Sequence, residues 1–552
     1  MPLMLRRLVV LIALCAAATV AGAQARRIER KPPSDPMAGV AIYERGVLPN
    51  GAPLIAERSD MPSLTGEHAA CINCHRKSGL GSVEARNIIP PVTSRFLLHP
   101  PDDHSDVARL PYLPNARLAR EAYTRETIAR AIREGIDASG KPLSYLMPRY
   151  DLNDADMTAL IDHLMALDVP KIPGVSSGEL HFATIVTPDA DPAAKDGVLA
   201  VIRNFFDEKN AAPRGEGNQK MQTSAKGALE KHMFRVNREW VLHVWELSGS
   251  PSTWQQQLDA LFAAEPVFAV VSGAYGRDYS PVRAFCESRS VPCLFPNLEY
   301  APPVGDDDFH VVYFSRGVGL EADLIGADVA TGPATTPVAA IYREGDVGEL
   351  AAARLADDLR AQHRELRLLR IPAKAGPDAI RAAIKSLPPN TALAVWLRDK
   401  DVAVLGPAPK GAVYLSGILA GDEYAPLPGD WRPNTKVVLT VDLPDVRRVR
   451  LDYAHGWFRV RKIPEVSFRA QADAFLACGI VSETVKHLID AFVPNYLVER
   501  IEDTLEHRVL TGYYPRLTLG PHQRFASKGG TFARFTEPTG PHMEQVGDWV
   551  VP

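Results

Sequence analysis

The chain contains a single Cys-Xaa-Xaa-Cys-His run, Cys71-Ile-Asn-Cys74-His75. Two thiols at this spacing reach the two vinyl groups of a haem and form thioethers. The imidazole that follows lies against the iron as an axial ligand, so the run reads as an attachment site for haem c. The same residues also suit half of a zinc site. A low-spin iron needs a second axial ligand, and Met147 in Tyr145-Leu-Met-Pro-Arg-Tyr150 is the expected one. Its thioether is soft, and Pro148 fixes φ and keeps the segment out of a helix. A His75/Met147 pair raises the reduction potential. The competing reading makes Met147 core filler. Met61, His68, His99, His104 and His163 are the rival ligands. His75 needs an acceptor for its second ring nitrogen, expected from a backbone carbonyl of Ile88-Ile-Pro-Pro91. Arg86, Arg95 and Arg149 suit haem propionates as well as they suit solvent.

These groups must be positioned by a region that is loop-rich from Pro36 to Pro170. The pattern predicts a helix over 125–133, opened by Thr124 and stopped by Gly135. A second follows Asn153, with Asp154 and Asp156 at the positive end of its dipole. Met157, Leu160, Ile161, Leu164 and Leu167 give that helix its apolar face.

The segment 171–179, rich in Pro, Gly and Ser, reads as a connector. Beyond it strands and helices alternate. Strands are expected at 180–186, 267–271, 291–295, 338–342, 366–371, 391–396 and 437–441, with helices at 193–209, 280–288 and 347–363. This alternation predicts parallel sheets with crossover helices, and the region is long enough for two lobes.

The N-terminus bears on where covalent haem attachment takes place. Arg6 and Arg7 precede the apolar run 8–20, which is short for a membrane span, and small-residue cleavage patterns end near Ala25. Residues 1–25 therefore read as a secretory leader, and the mature chain is expected to be periplasmic without a membrane span. At 552 residues the chain is too long for one core. A formal net charge of −4 and the lack of a basic stripe point away from nucleic acid. In an oxidising compartment, Cys286 and Cys293 are open to two readings, a disulfide or two buried thiols. Cys478 lies in an apolar stretch and reads as an inert buried thiol.

Residues about 38 to 168 resemble a class I c-type cytochrome. The resemblance rests on Cys71-Xaa-Xaa-Cys-His75, Pro90-Pro91, Gly135 and Gly140, Leu146-Met-Pro148 and the closing helix 153–167. It implies an all-α domain holding one covalent haem c with His75 and Met147 as axial ligands. Its activity would be electron transfer through an exposed haem edge, not enzyme catalysis. The Pro- and Asp-rich stretch 96–119 is longer than in a minimal member.

Residues about 178 to 540 resemble the type I periplasmic binding proteins of branched-chain amino acid and amide transporters. This resemblance rests on the opening strand and helix, Val271-Ser-Gly273, 291–296, 337–342 and Leu517-Thr-Leu-Gly-Pro-His-Gln-Arg524. It implies two α/β lobes closing on a small polar ligand. Expected cleft residues are Ser272, Gly273, Ala274, Tyr275, Asn297 and Glu299, at the carboxyl ends of strands. The alternative is that these residues only terminate strands. The small Ser/Thr cluster for a ligand carboxylate is replaced by Asn297-Leu-Glu-Tyr300.

The expected organisation is thus a leader (1–25), a cytochrome c domain (36–170), a connector (171–179) and a two-lobed α/β domain (180–540). The expected function is that of a periplasmic monohaem electron carrier. Its partners would be periplasmic redox proteins, such as a quinoprotein dehydrogenase or a terminal respiratory complex. The alternative is a solute receptor or sensor in which haem is secondary or redox-sensing.

Overall fold

The computed structural model describes residues 36–58, 61–84, 87–99, 120–168, 171–216, 238–421, 425–488, 491–507 and 512–552. The leader expected at 1–25, Arg86, His104 and most of the 96–119 stretch lie outside the described residues. Two compact units divide the chain. The described residues of 36–75, 91–99 and 120–168 form the first; those of 76–90 and 171–552 form the second. Among the described residues no helix is long and apolar enough to cross a membrane.

The first unit contains strands β1 (Ile55–Arg58) and β2 (Met61–Thr65), then helices α1 (Ile72–His75) and α2 (Arg125–Glu134). Strand β3 (Arg149–Tyr150) and helix α3 (Asp154–Ala166) follow. Its three strands are antiparallel in the order β2-β1-β3, with Ala56 opposite Tyr150. The expectation of an all-α domain is corrected here. Pro148 keeps the chain extended, so Arg149 and Tyr150 fall alongside β1, and buried Tyr150 and Ala56 close the core from that side.

Both predicted helices form, and their caps show why. Thr124 Oγ1 accepts from Thr127 N at 3.3 Å, while Thr127 Oγ1 accepts from Thr124 N at 2.7 Å, and Gly135 ends α2 at φ 71°. Asn153 Oδ1 accepts from Ala155 N and Asp156 N, both at 2.9 Å. The apolar face of α3 (Met157, Leu160, Ile161, Leu164) packs into one cluster with Ile42, Tyr43, Ile128 and Ile132.

The second unit has two α/β lobes. Its first lobe contains β4 (Glu179–Val186), α4 (Pro192–Glu216), β5 (Glu239–Glu246), α5 (Trp254–Ala264) and β6 (Ala269–Val271). It continues with α6 (Ser280–Arg289), β7 (Cys293–Leu294) and β8 (Val311–Val312). The strands are parallel in the order β8-β7-β6-β4-β5.

Helix α7 (Val318–Ala330) leads into the second lobe, which holds β9 (Val338–Arg343), α8 (Gly348–Ala361), β10 (Leu366–Ile371), α9 (Pro377–Lys385) and β11 (Ala392–Trp396). Strands β12 (Val413–Ser416) and β13 (Thr435–Leu439) complete its parallel part. The chain then returns through α10 (Pro444–Arg461), α11 (Phe468–Lys486) and α12 (Pro494–His507). Helix α11 packs against α4 of the first lobe. Strands β14 (Gly530–Phe535) and β15 (Met543–Val550) add an antiparallel edge, giving the order β10-β9-β11-β12-β13-β14-β15.

The buried strand runs 338–342 and 392–396 explain the parallel sheet, since each is covered by an apolar cluster on both faces. The segments crossing between the lobes pair with one another. Tyr313 N donates to Arg524 O at 2.8 Å, Ala526 N to Tyr313 O at 3.0 Å and Ser527 N to Phe314 O at 2.7 Å. Cys286 and Cys293 form a disulfide with Cα atoms 6.1 Å apart, which resolves the two open readings in favour of the bridge. Cys478 is buried, and burial pushes its thiol up.

Candidate functional sites

In the first unit the Cys71–His75 segment turns on itself. Cys74 N donates to Cys71 O at 3.2 Å and His75 N donates to the same oxygen at 2.9 Å. Tyr150 OH donates to Ala69 O at 3.1 Å and ties β3 to the residues before this turn. Cys71, Ile72 and Met147 all pack against the same apolar cluster. His75 is buried, whereas Cys74 is exposed. Burial raises the Cys71 thiol to about 12. Met147 is held by a tight turn, its N donating to Ser144 O at 3.0 Å. The guanidinium of Arg149 donates to the Met147 carbonyl, so this arginine fastens the loop.

The rival ligands are placed less favourably. Met61 is exposed, His68 and His99 lie on the surface, and the His163 ring lies tilted at 54° against Tyr43 with centroids 4.9 Å apart. A structural zinc site needs a closed set of four ligands. Among the described residues no group of three or more His, Cys, Asp or Glu side chains is placed to hold a metal ion. Cys71 and Met147 pack on the apolar cluster, His75 is buried and Cys74 is exposed, so the unit offers two thiols, an imidazole and a thioether, the donor types that hold a haem c.

The segment that follows His75 in sequence is fixed within the second unit. Ser78 N and Oγ donate to Glu499 on α12 at 2.8 and 2.6 Å. Arg76 pairs with Glu502, whose other oxygen accepts from Arg524 Nη2 at 2.5 Å. Burial raises the Glu499 carboxyl to about 7.

The residues expected to line the cleft lie at or past the carboxyl ends of the first-lobe strands β6 and β7. Ala274 bridges Val186 on one side and Asn297 on the other. Ser272 is buried at φ 52°, and its Oγ has no hydrogen-bond partner among the described residues. Gly273 takes φ 119°, and a Cβ there would lie 2.5 Å from Ile185 O. Tyr275 OH turns back to Ser272 O at 2.9 Å, and Asn297 Nδ2 donates to Ala470 O at 3.1 Å. Glu299 accepts from Arg398 Nη1 and Nη2 at 3.0 and 2.7 Å.

Other residues at the strand ends were not anticipated from the sequence. Arg398, Asp346 and Glu349 come from the second lobe, and Thr187, Asp189 and Arg277 from the first. Glu321 is fully buried on α7, and its carboxylate accepts from Ser416 Oγ at 2.6 Å, Ile418 N at 3.0 Å and Trp396 Nε1 at 3.2 Å. Burial outweighs these donors and raises its carboxyl to about 7. Asp473 on α11 is likewise raised to about 6 by burial. The available signal was positional: most of these residues lie just past the carboxyl end of an apolar strand run.

No family model and no curated protein matches this chain. Among solved structures, a substrate-binding periplasmic protein from Ralstonia solanacearum is similar at 12% identity, covering 66% of this chain and 100% of its own, with a TM-score of 0.47. A leucine binding protein from Thermotoga maritima gives 12% identity, 68% and 99% coverage, and a TM-score of 0.47. A branched chain amino acid ABC transporter from Thermus thermophilus with bound valine gives 10% identity, 68% and 97% coverage, and a TM-score of 0.45. The two-lobed α/β description rests on the strand orders and crossings of this chain itself.

Proposed function

We propose that this chain is a periplasmic electron-transfer protein that binds one haem c through its first unit, with a second unit that serves as a two-lobed binding body for a small polar solute or a partner. One observation carries the haem reading: Cys71, Ile72 and Met147 lie on a single apolar cluster, with His75 buried at the end of α1. When bound, the haem supplies one-electron transfer at its edge. Cys71 and Cys74 would hold it covalently, and His75 and Met147 would donate to its iron. The apolar cluster lowers the dielectric around them, and the Arg149 guanidinium on the Met147 carbonyl fixes the loop that presents the thioether. Tyr145, 69% exposed beside Met147, offers an apolar contact for a periplasmic redox partner, of which a quinoprotein dehydrogenase is one class.

Expression in a host competent for haem attachment tests this. The mature protein is expected to show a reduced c-type α band, and Met147→Ala is expected to abolish the thioether-to-iron charge-transfer band. Colourless protein, or an unaltered band in the variant, would sink the reading.

A second reading, a solute receptor in which haem is secondary, draws on the two lobes and their paired crossing segments. It expects small acids, alcohols or amides to shift the melting temperature, and a screen with no shift would count against it.

A further inference from the structure

We infer that the cleft between the two lobes of the second unit is latched shut by the chain's own side chains, an inference that rests on reading that unit as a two-lobed binding body. Two charged contacts run from lobe to lobe. Arg398, just past β11 in the second lobe, grips both oxygens of Glu299, just past β7 in the first, at 3.0 and 2.7 Å. The same guanidinium reaches Asp346 through Nε at 2.8 Å and Nη2 at 2.7 Å. Arg277, past β6 in the first lobe, donates to Glu349 at the start of α8 at 2.8 Å. Half-exposed ion pairs contribute little singly, but a bidentate fork shared between two acids is the geometry in which they do contribute.

Behind these pairs, the amides at the strand ends are already taken. In open α/β sheets such amides face the ligand crevice. Here Arg277 N donates to Asp189 Oδ2 at 3.0 Å and Gly276 N donates to Thr187 Oγ1 at 2.9 Å. Thr187 Oγ1 in turn donates to Asp189 Oδ1 at 2.7 Å. A Cβ on Gly276 would lie 2.1 Å from the Asp189 carboxylate, so glycine is what admits the side chain. Asp189 thus stands as an internal carboxylate where an anionic solute would otherwise bind. Asn297 is likewise committed to Ala470 O. Closure therefore needs no solute, and its release is set by what competes for Arg398 and Arg277.

Small-angle scattering and amide hydrogen exchange on the haem-loaded full chain test the latch, comparing wild type with Glu299→Gln/Glu349→Gln at low and high salt. Without solute, the wild type is expected to be closed at low salt. The double variant is expected to show a larger radius of gyration and exchange about ten-fold faster over 272–277, as losing two pairs of this kind implies. High salt is expected to move the wild type towards the variant. Equal opening of both proteins at low salt would overturn the latch and leave the binding-body reading standing. Equal closure of both at low and high salt would overturn the latch, since the lobes would then stay together without these pairs. Each outcome is read without reference to the haem spectrum.

Discussion

Ser78 places both its backbone amide and its hydroxyl on the carboxylate of Glu499, at 2.8 and 2.6 Å, three residues after His75 in the chain. All of these atoms are buried, so neither donor has water to fall back on. Removing the acceptor leaves an unsatisfied amide, and such a group costs about 1–3 kcal/mol. Glu499→Ala is therefore expected to lower stability by about 3 kcal/mol, because it also opens a cavity on α12. Glu499→Gln keeps one acceptor and is expected to cost about 1 kcal/mol. Urea unfolding gives both values, and amide exchange over 76–90 is expected to rise in the alanine variant alone. If the two variants are equally stable, the Ser78 contacts contribute nothing.

The buried carboxyl of Glu321 sets the sign of a pH dependence. Its value rises from 4.5 to about 7 because burial disfavours the charged form. An acid held above its unfolded value binds its proton more tightly when folded. Its contribution is complete below about pH 4.5 and declines as pH rises towards 7, at up to about 1.4 kcal/mol per pH unit. Asp473 and Glu499 act in the same direction. Urea titrations at several pH values, for wild type and Glu321→Gln, isolate the Glu321 share as the difference between the two curves. Wild type minus variant is expected to shrink steadily between pH 4.5 and 7. A difference that stays flat would mean that Glu321 titrates alike in both states.

What the sequence made legible follows from how local each signal is. Asn153 and Thr124 announced their helices because a cap acts within three residues. The buried runs at 338–342 and 391–396 announced parallel strands because both faces of each are covered. β14 and β15 were not anticipated: only one pairs with the rest of the sheet, and β15 is almost wholly exposed. β1, β2 and β3 were missed because they are short and β2 carries Pro62. Within the candidate sites, Cys71, Cys74 and His75 were singled out by spacing alone. Arg398 was not, since its acids Glu299 and Asp346 lie 99 and 52 residues away in sequence. Ser272, Asn297 and Glu299 were placed correctly at strand ends, but only folding shows that Asn297 and Glu299 are engaged with the chain itself.

The Cys286–Cys293 bridge joins the interior of α6 to the start of β7, and both residues are buried in the first-lobe core beside Phe285, Val291 and Val311. It closes a loop only seven residues long in sequence separation, so its entropic effect on the unfolded chain is modest, roughly 2 kcal/mol. Its packing adds to this, because both sulfurs lie where no cavity is tolerated without cost. Cys286→Ala/Cys293→Ala is therefore expected to lower stability by about 3 kcal/mol. Reduction of the wild type leaves both sulfurs in place, so it is expected to cost nearer 2 kcal/mol once the reductant gains access. The two are separated by urea unfolding with and without reductant. The effect belongs to the first lobe, so exchange is expected to rise over 280–295 while the second-lobe strands 338–343 and 392–396 stay protected. Equal loss of protection in both lobes would mean that the second unit unfolds as a single cooperative body.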